Sequence, residues 1–563
     1  MNKLIRNNEI KFLVQENESD IFNNLDKLKE NNIVERIWQK DFTVWSNKPD
    51  EVSNRLGWLD CNQIPSSFLT EINSFVDDIK NEGFENIVIM GMGGSSLAPE
   101  VFSRTFFKPK FNIYVLDSTH PDVINNIEQK VSPENTLYII STKSGGTIET
   151  ISLMKYFFTR AAKKLGNEKV KNHFAFITDP GSGLEAIGKK LGVRKIFIND
   201  PNIGGRFSAL SLFGLVPAAF AGVDLFKLMI ELNNVVKEAQ SIDLDKNSSA
   251  QLGAVIGTLA NKGIDKLTFF ISPKLPSFGA WIEQLIAEST GKNGKGILPI
   301  DGEPLDKINR YTKDRVFIYI KLENESFLED EFNEIENADF PAIKIILKDI
   351  YDIGKEFFRW EFATAIAGYF MGIQPYDQPN VESAKIVARE MIAKYVETKV
   401  EPQNNPNFAG SSFDINSSEG YSKLKSEFQF NKNDCEYIAI QAFINPSSVS
   451  EDTITELKIS LQKKYHLPLT FGIGPRFLHS TGQLHKGDKG KGLFIQLIEE
   501  NSGDLMIPEE PLADCYSYSF GVLVKAQGLG DRKALLDAGR KVITIDLGLK
   551  PEESLQKVIG ILN

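Results

Sequence analysis

Short runs of apolar residues alternate with longer stretches of helical periodicity along much of this chain. Between residues 86 and 200 five such runs follow one another: NIVIMGM, FNIYVLD, LYIIST, HFAFITD and KIFIND. Continuous apolar runs separated by amphipathic helices are typical of parallel strands that helices cover on both faces. The pattern therefore predicts a doubly wound parallel α/β sheet in this part of the chain.

The same alternation returns twice further along. A second unit begins near residue 265 with KLTFFISP, and a third runs from YIAIQAFI through GLFIQLI to VITIDL. Between them, residues 401–420 are polar and rich in Pro, Gly and Ser, so we expect a linker or an excursion there. We accordingly divide the chain into a helical N-terminal segment, two α/β modules and a C-terminal α/β unit, at residues 1–60, 61–225, 226–400 and 401–563.

Amino-acid composition limits the classes of ligand and partner that this protein could bind. The 563 residues carry 64 Lys and Arg against 75 Asp and Glu, a net charge of -11, which disfavours nucleic acids and anionic membranes as partners. Three widely spaced cysteines without a CxxC pattern predict free thiols in the cytoplasm and no zinc site. The N-terminus lacks the apolar segment of a signal peptide, and no apolar stretch is long enough for a membrane span, so we expect a cytoplasmic protein.

Two loops that follow predicted strands have the composition of phosphate-binding loops. GMGGSSLAPE, at residues 91–100, supplies three glycines and two serines ahead of a predicted helix. STKSGGTIET, at residues 141–150, supplies further hydroxyls, Lys143 and two glycines. Backbone N–H groups at helix N-termini, at the carboxyl ends of parallel strands, bind anions. The two loops together indicate a compact phosphate ligand.

Each loop alone has other interpretations. Either is also compatible with a tight turn that caps a helix. The first loop raises the possibility of a dinucleotide site, because Asp117 ends the next predicted strand, where a ribose-binding acid would lie. However, Gly91, Gly93 and Gly94 do not complete G-x-G-x-x-G, since Ser96 occupies the third glycine position.

Five motifs occur in the order in which the phosphoglucose isomerase family has them. GMGGSSLAP resembles the family's GIGGSDLGP, TKSGGTIET resembles SKTFTTQET, and GGRFSALS resembles GGRYSLWS. EQLIAESTGKNGKG resembles QLxxESxGKxGKG, and YDQPNVESAK resembles FDQPGVExxK. The sequence is therefore similar to this family, and more closely to the isomerase half of bacterial transaldolase–phosphoglucose isomerase fusions. With about 60 residues ahead of the first module, we expect no transaldolase barrel.

The resemblance implies a fold and a reaction. The fold would be α/β, with two doubly wound sugar-isomerase (SIS) modules and an additional C-terminal α/β unit. The reaction would be the reversible isomerisation of glucose 6-phosphate and fructose 6-phosphate, a step of glycolysis and gluconeogenesis. It passes through a cis-enediol(ate), so it needs a base and a group that stabilises negative oxygen. No cofactor and no metal are implied.

By resemblance, residues of the motifs take family roles. Glu288 is the base, Arg206 lies beside the enediolate, Lys385 assists ring opening, and Gln378 contacts the substrate. The loops would bind the phosphate and the sugar through Gly93, Gly94, Ser95, Ser96, Thr142, Lys143, Ser144 and Thr147.

One family residue is missing from its usual place. The ring-opening histidine, in LHSxGQxxQxG, follows shortly after the base, but the stretch after Glu288 has no histidine. Residues 478–487 read LHSTGQLHKG instead, so the resemblance assigns ring opening to His479. We therefore interpret the C-terminal unit as a rearranged part of the second module. We expect His479 to serve Glu288 of its own chain, His485 to be a solvated loop residue, and His120 to lie in a turn.

Two other functions stay open at this point. SIS modules also occur in non-catalytic regulators that bind sugar phosphates, and the first glycine loop leaves a nicotinamide-dependent oxidoreductase possible. In each case the expected partner is a small molecule rather than nucleic acid. The sequence leaves both a monomer and a homodimer open.

Overall fold

A computed structural model describes residue 4 and residues 9–106, 110–402, 411–430, 434–500 and 503–563. In this part of the chain the strands are β1 Ile10–Leu13, β2 Asn86–Gly91, β3 Asn112–Leu116, β4 Thr136–Ser141, β5 Phe174–Thr178, β6 Lys195–Ile198, β7 Lys266–Ile271, β8 Leu298–Ile300, β9 Arg315–Leu322, β10 Ala342–Leu347, β11 Ser411–Asp414, β12 Tyr437–Phe443, β13 Leu469–Ile473, β14 Gly492–Ile498, β15 Met506–Pro508, β16 Tyr516–Ser519 and β17 Lys541–Asp546.

The helices of the same ranges are α1 Glu18–Glu30, α2 Ile33–Trp38, α3 Ser66–Asn81, α4 Gly94–Thr105, α5 Pro121–Lys130, α6 Ile148–Leu165, α7 Asn167–Val170, α8 Gly183–Leu191, α9 Leu212–Phe220, α10 Leu225–Ala239, α11 Ser248–Asn261, α12 Phe278–Thr290, α13 Glu329–Asn337, α14 Ile353–Met371, α15 Glu382–Thr398, α16 Ser418–Glu427, α17 Glu451–Tyr465, α18 Gly482–Gly487, α19 Phe520–Asp537 and α20 Pro551–Leu562. None of them is long and apolar enough to cross a membrane.

The first sheet has the predicted doubly wound form. Its order is β3-β2-β4-β5-β6, and every pair is parallel. Strands β2, β4 and β5 are buried along their whole length, which explains why their sequences are continuously apolar. In the register of β2 and β4, Gly91 lies opposite Ser141. The two candidate phosphate loops therefore leave the sheet side by side.

The second sheet takes one strand from the N-terminal segment. Its order is β1-β10-β9-β7-β8, with β1 antiparallel to β10 and the other pairs parallel. The segment predicted to be helical thus contains α1 and α2 but also β1, whose Ile10 pairs with Ile345. A four-residue strand is too short to show a clear period in the sequence. The domain boundaries stay a prediction.

The C-terminal unit contains a third sheet, β11-β17-β14-β12-β13, which is parallel throughout. The predicted linker at 401–420 is only partly described, because residues 403–410 lie outside the described ranges. Its second half is not a linker. It forms the edge strand β11 and the start of α16, because Phe413 and Leu424 are buried in the core of this unit.

Helix packing joins the C-terminal unit to the rest of the molecule. The first two sheets share one core, in which Trp281 of α12 meets Phe357 of α14 with ring centroids 4.6 Å apart. Helix α19 packs along α15, and Leu523 of α19 joins a cluster with Ile392 of α15 and Val88 of β2. The C-terminal unit is thereby held against the carboxyl ends of the strands of the first sheet.

Candidate active site

A cavity of about 650 Å³ lies where both glycine loops meet α12, α15 and the C-terminal unit. Its walls bring together the side chains predicted to act on a sugar, namely Glu288, Arg206, Lys385, Gln378 and His479. The predicted phosphate-binding residues that line it are Gly93, Gly94, Ser95, Thr142, Lys143, Ser144 and Thr147. One chain thus supplies both sets of residues to one space.

Ser96 is the predicted residue that does not line this cavity. Its side chain is fully buried, and its Oγ donates to the carbonyl oxygen of Gly93 at 3.1 Å. The predicted phosphate contact of Ser96 is therefore corrected to a structural role within α4. Asp117, the acid of the dinucleotide alternative, is also buried. Burial raises its pKa, and the carboxylate faces the guanidinium of Arg476 at 3.4 Å.

The glycines of the first loop allow three segments to approach one another. Gly93 has a φ of 57°, and a Cβ there would lie 2.6 Å from Nε2 of Gln284 and 3.1 Å from the carbonyl oxygen of His479. A Cβ on Gly94 would overlap the carbonyl oxygen of Gly205. Both positions thus require glycine, because the loop touches α12, the His479 turn and the Arg206 turn at once.

The second loop presents hydroxyls and a fixed cation. The hydroxyls of Thr142 and Thr147 lie 3.1 Å apart, and Thr147 precedes the first residue of α6. The ammonium of Lys143 pairs with the carboxylate of Asp179 and donates to the carbonyl oxygen of Pro201 at 2.8 Å. Burial raises the pKa of Asp179, and Lys143 opposes that rise. The loop therefore places the N-terminus of α6 and the positive charge of Lys143 at the cavity wall.

Arg206 is a buried cation held between Glu288 and Gln378. Its Nη1 lies 3.3 Å from Oε1 of Glu288 and donates to Oε1 of Gln378 at 2.5 Å. Its Nε donates to the hydroxyl of Ser289 at 2.8 Å, and Nη2 donates to the carbonyl oxygen of Pro375 at 2.7 Å. Burial lowers the pKa of Arg206, and the carboxylate of Glu288 counteracts this. With these partners the guanidinium has little freedom to move.

Glu288 lies in the last turn of α12, and Gln284 links it to the histidine turn. The Nε2 group of Gln284 donates to Oε2 of Glu288 at 3.2 Å and to the carbonyl oxygen of His479 at 2.8 Å. Gln284 is not among the residues predicted from the sequence. Its position one helical turn before Glu288 was the available signal, because residues four apart share a helix face.

His479 is paired with a buried carboxylate that sequence reasoning also missed. Its Nε2 lies 3.0 Å from Oε1 of Glu149, in the first turn of α6. Burial alone would raise the pKa of Glu149, but His479, a backbone hydrogen bond and the charge of Lys385 together lower it. Glu149 stands inside the motif STKSGGTIET, so its place in a matched motif was the available signal.

Lys385 stands at the rim of the cavity. It lies in the first turns of α15, its side chain is about one-third exposed, and its ammonium is 3.7 Å from the carboxylate of Glu382. The loose ion pair leaves this cation free to contact a bound sugar.

The prediction for His485 is wrong. The residue lies in α18 and only 2% of it is exposed, rather than being a solvated loop residue. Its Nδ1 is 3.2 Å from Nε2 of Gln441, and burial lowers its pKa well below the usual value. Leu484 of α18 packs between Leu298 of the second sheet and Phe494 of the third, a burial that the sequence around His485 did not indicate.

His120, predicted to lie in a turn, ends the loop after β3 and caps α5. Its Nδ1 accepts from the backbone N–H of Asp122 at 3.3 Å, and its Nε2 lies 2.9 Å from Oε1 of Glu499. These three side chains are close enough together to surround a cation. The contact between His120 and Glu499 links the loop after β3 of the first sheet to the C-terminal unit.

Comparison with known proteins assigns the family. The family model described as phosphoglucose isomerase matches residues 67–302. A Methanococcus maripaludis protein named "Probable glucose-6-phosphate isomerase" is 31% identical, over 63% of this chain and 88% of that protein. The chain belongs to the phosphoglucose isomerase family. The residues matched by the family model contain both loops, Arg206 and Glu288, whereas Gln378, Lys385 and His479 lie beyond them.

Other family members and structures agree. A glucose-6-phosphate isomerase of Campylobacter jejuni is 29% identical, over 61% of this chain and 94% of its own. The crystal structure of a glucose-6-phosphate isomerase from Chlamydia trachomatis superposes with a TM-score of 0.58 at 17% identity, covering 69% of this chain and 89% of that one. A hypothetical protein of Thermus thermophilus gives 0.59 at 23% identity, over 68% and 100%. The two structures support the shared α/β fold.

Proposed function

We propose that this protein is a glucose-6-phosphate isomerase that interconverts glucose 6-phosphate and fructose 6-phosphate. The main support is that one cavity contains both glycine loops and two charged pairs, Arg206 with Glu288 and His479 with Glu149. Such an arrangement offers an anion site, a base and a second proton-transfer group together, which is what aldose–ketose isomerisation needs.

The phosphate end of the substrate would bind at the two loops. Ser95 and Thr147 offer hydroxyl donors at the N-termini of α4 and α6, where backbone N–H groups and the helix dipoles favour an anion. Lys143 adds positive charge, although its pairing with Asp179 leaves it partly neutralised. Binding would therefore depend on many hydrogen bonds rather than on one strong ion pair.

Ring opening is the role we propose for His479. Its Nε2 donates to the carboxylate of Glu149, which fixes the tautomer and leaves Nδ1 as the nitrogen that exchanges a proton with the ring oxygen. An imidazole suits this step because one ring nitrogen can accept a proton while the other keeps its hydrogen bond. Lys385, at the rim, would contact the ring oxygen or a sugar hydroxyl and stabilise negative charge there.

Glu288 would carry the proton between C2 and C1. Its carboxylate removes the C2 proton of the open-chain aldose and returns it to C1, while a second proton passes between the oxygens on C1 and C2. The guanidinium of Arg206, fixed 3.3 Å from Glu288, would stabilise the negative oxygen of the cis-enediolate. Gln378 holds Arg206 and would add a donor to the sugar.

The alternatives are less well supported. A binding regulator has no need for a buried Arg206 aligned on a carboxylate, and burying such a charge is costly without a function. An oxidoreductase would need a ribose-binding acid, and Asp117 is engaged by Arg476. We further propose the cytoplasm as the location, because Cys61, Cys435 and Cys515 are free thiols.

One experiment tests this function. Purified protein is incubated with fructose 6-phosphate, a metal chelator and no added cofactor, and the sugars are followed by NMR. We expect an equilibrium mixture with glucose 6-phosphate, and deuterium at C2 of the aldose when the reaction runs in deuterated water. Binding without conversion would instead favour the regulator, and turnover that requires NAD would favour the oxidoreductase.

A further inference from the structure

Glu149 has a second partner besides His479. Gln527, in α19 of the C-terminal unit, donates from Nε2 to the same carboxylate oxygen at 2.6 Å. Only 4% of Gln527 is exposed, and it lines the cavity beside His479. The C-terminal unit therefore supplies both His479 and Gln527 as partners of the buried carboxylate of Glu149 in α6.

The orientation of this amide follows from its partners. A carboxylate only accepts hydrogen bonds, so the group of Gln527 that faces Glu149 is the amide nitrogen. Its oxygen then faces Thr119, whose hydroxyl donates to it at 2.8 Å. Thr119 lies in the loop after β3 and is fully buried. The chain of donors runs from Thr119 through Gln527 to Glu149 and fixes the position of the carboxylate.

We propose that Gln527 is a positioning residue for ring opening, which acts on His479 through Glu149. Donation from Gln527 favours the ionised form of Glu149 and holds the oxygen to which His479 donates. Without this donor, a buried carboxylate would keep one side-chain partner and could rotate away from the imidazole. The inference rests on the proposed isomerase function and extends it to a residue outside the family motifs.

The other groups that face Glu149 must be considered before pH is used as a test. Besides His479 they are the ammonium of Lys385 from α15 and the phenol of Tyr518 from β16. Neither lies on α19, so substitutions at Gln527 leave both unchanged.

Two substitutions separate donation from packing. Gln527→Met keeps the length of the side chain and removes the donor, and we expect kcat on glucose 6-phosphate to fall about 10- to 100-fold, the range for a hydrogen bond to a charged group. KM should change little, because the residue acts through Glu149. Gln527→Glu restores a donor only when one proton is shared between the two carboxyl groups. The activity ratio of Gln527→Glu to Gln527→Met should therefore rise as the pH falls.

A ring-free substrate and a control variant complete the test. Erythrose 4-phosphate cannot close a ring, so exchange of its C2 proton with solvent should be nearly the same in wild type and Gln527→Met. Gln462, a buried amide of the same unit, donates to the carbonyl oxygen of Pro304 at 3.1 Å and does not line the cavity. Gln462→Met should retain wild-type turnover.

The outcomes are distinct. Suppose that the wild type is active. Full activity in Gln527→Met would then overturn this inference alone, and so would an activity ratio of Gln527→Glu to Gln527→Met that does not change with pH. Equal losses on both substrates would also overturn it, because they would indicate a general structural defect. A wild type with no isomerase activity would instead overturn the proposed function and, with it, this role for Gln527.

Discussion

The two halves of the cavity are built in different ways. The phosphate half comes from two loops within residues 93–147, which leave neighbouring strands of one sheet. The ring-opening half joins residues far apart in the chain: Glu149 is 330 positions from His479 and 378 from Gln527. The first half is thus a product of strand register, and the second depends on how a separate unit packs.

The position of the histidine turn depends on close contacts with α12. Gln483, in α18, donates to the carbonyl oxygen of Gly291 at 2.9 Å, just after the last turn of α12. A Cβ on Gly291 would overlap the backbone of Leu484. Gly291, three residues after Glu288, therefore serves as a packing surface for the segment that contains His479.

The largest effect is expected at Glu288, the proposed base, which lines the same cavity as both halves. Glu288→Gln keeps the shape and removes proton abstraction, so kcat should fall by about 10²–10⁴. The affinity for fructose 6-phosphate, measured by calorimetry, should change little because the phosphate half is intact. Turnover near that of the wild type would contradict the assignment of Glu288.

A substitution at Gly291 should damage one half only. In Gly291→Ala the new methyl group overlaps Leu484, so we expect α18 and His479 to shift, with a loss of about 1–3 kcal/mol in the free energy of unfolding. Turnover on the closed sugar should drop while phosphate binding persists.

The control is Gly560→Ala, where a Cβ meets nothing within 4 Å. It should leave both turnover and stability near wild type or slightly improve stability, since alanine favours helix. If Gly291→Ala kept full turnover, the contact between α12 and α18 would not position His479.

The smallest effect is expected in the phosphate half. Ser95→Ala and Thr147→Ala each remove a donor but no charge, and each should weaken sugar-phosphate binding by about 0.5–3 kcal/mol per hydrogen bond lost. The thermal shift caused by inorganic phosphate should shrink in parallel. Ser103→Ala, at a hydroxyl of α4 bonded to the carbonyl oxygen of Glu100, is the matched control and should bind normally. Undiminished phosphate shifts in both loop variants would contradict this binding site.

The same contrast explains what the sequence could predict. The five apolar runs specified the first sheet, and the loops that follow them were recognisable because glycine and hydroxyl residues stood at strand ends. Ser96 was misjudged because the direction of a side chain at a helix start depends on tertiary contacts, and its hydroxyl turns inward to Gly93. Composition does not encode that direction.

Long-range pairs were beyond sequence reasoning for a similar reason. His479 was found only through its resemblance to a family motif. Gln527, the other partner of Glu149, lies in a largely buried helix with no motif. His485 was predicted to be a solvated loop residue, yet every residue of α18 is buried. Burial of that kind is set by the packing of whole units and leaves no local period.

Mixing two inactive variants tests whether His479 serves Glu288 of the same chain. Purified His479→Ala and Glu288→Gln proteins are combined under conditions that allow any subunits to exchange, and isomerisation of fructose 6-phosphate is measured. Our account predicts that the mixture stays inactive, because no chain then holds both residues. Recovery of activity in the mixture would show that the histidine crosses between subunits and would contradict the account.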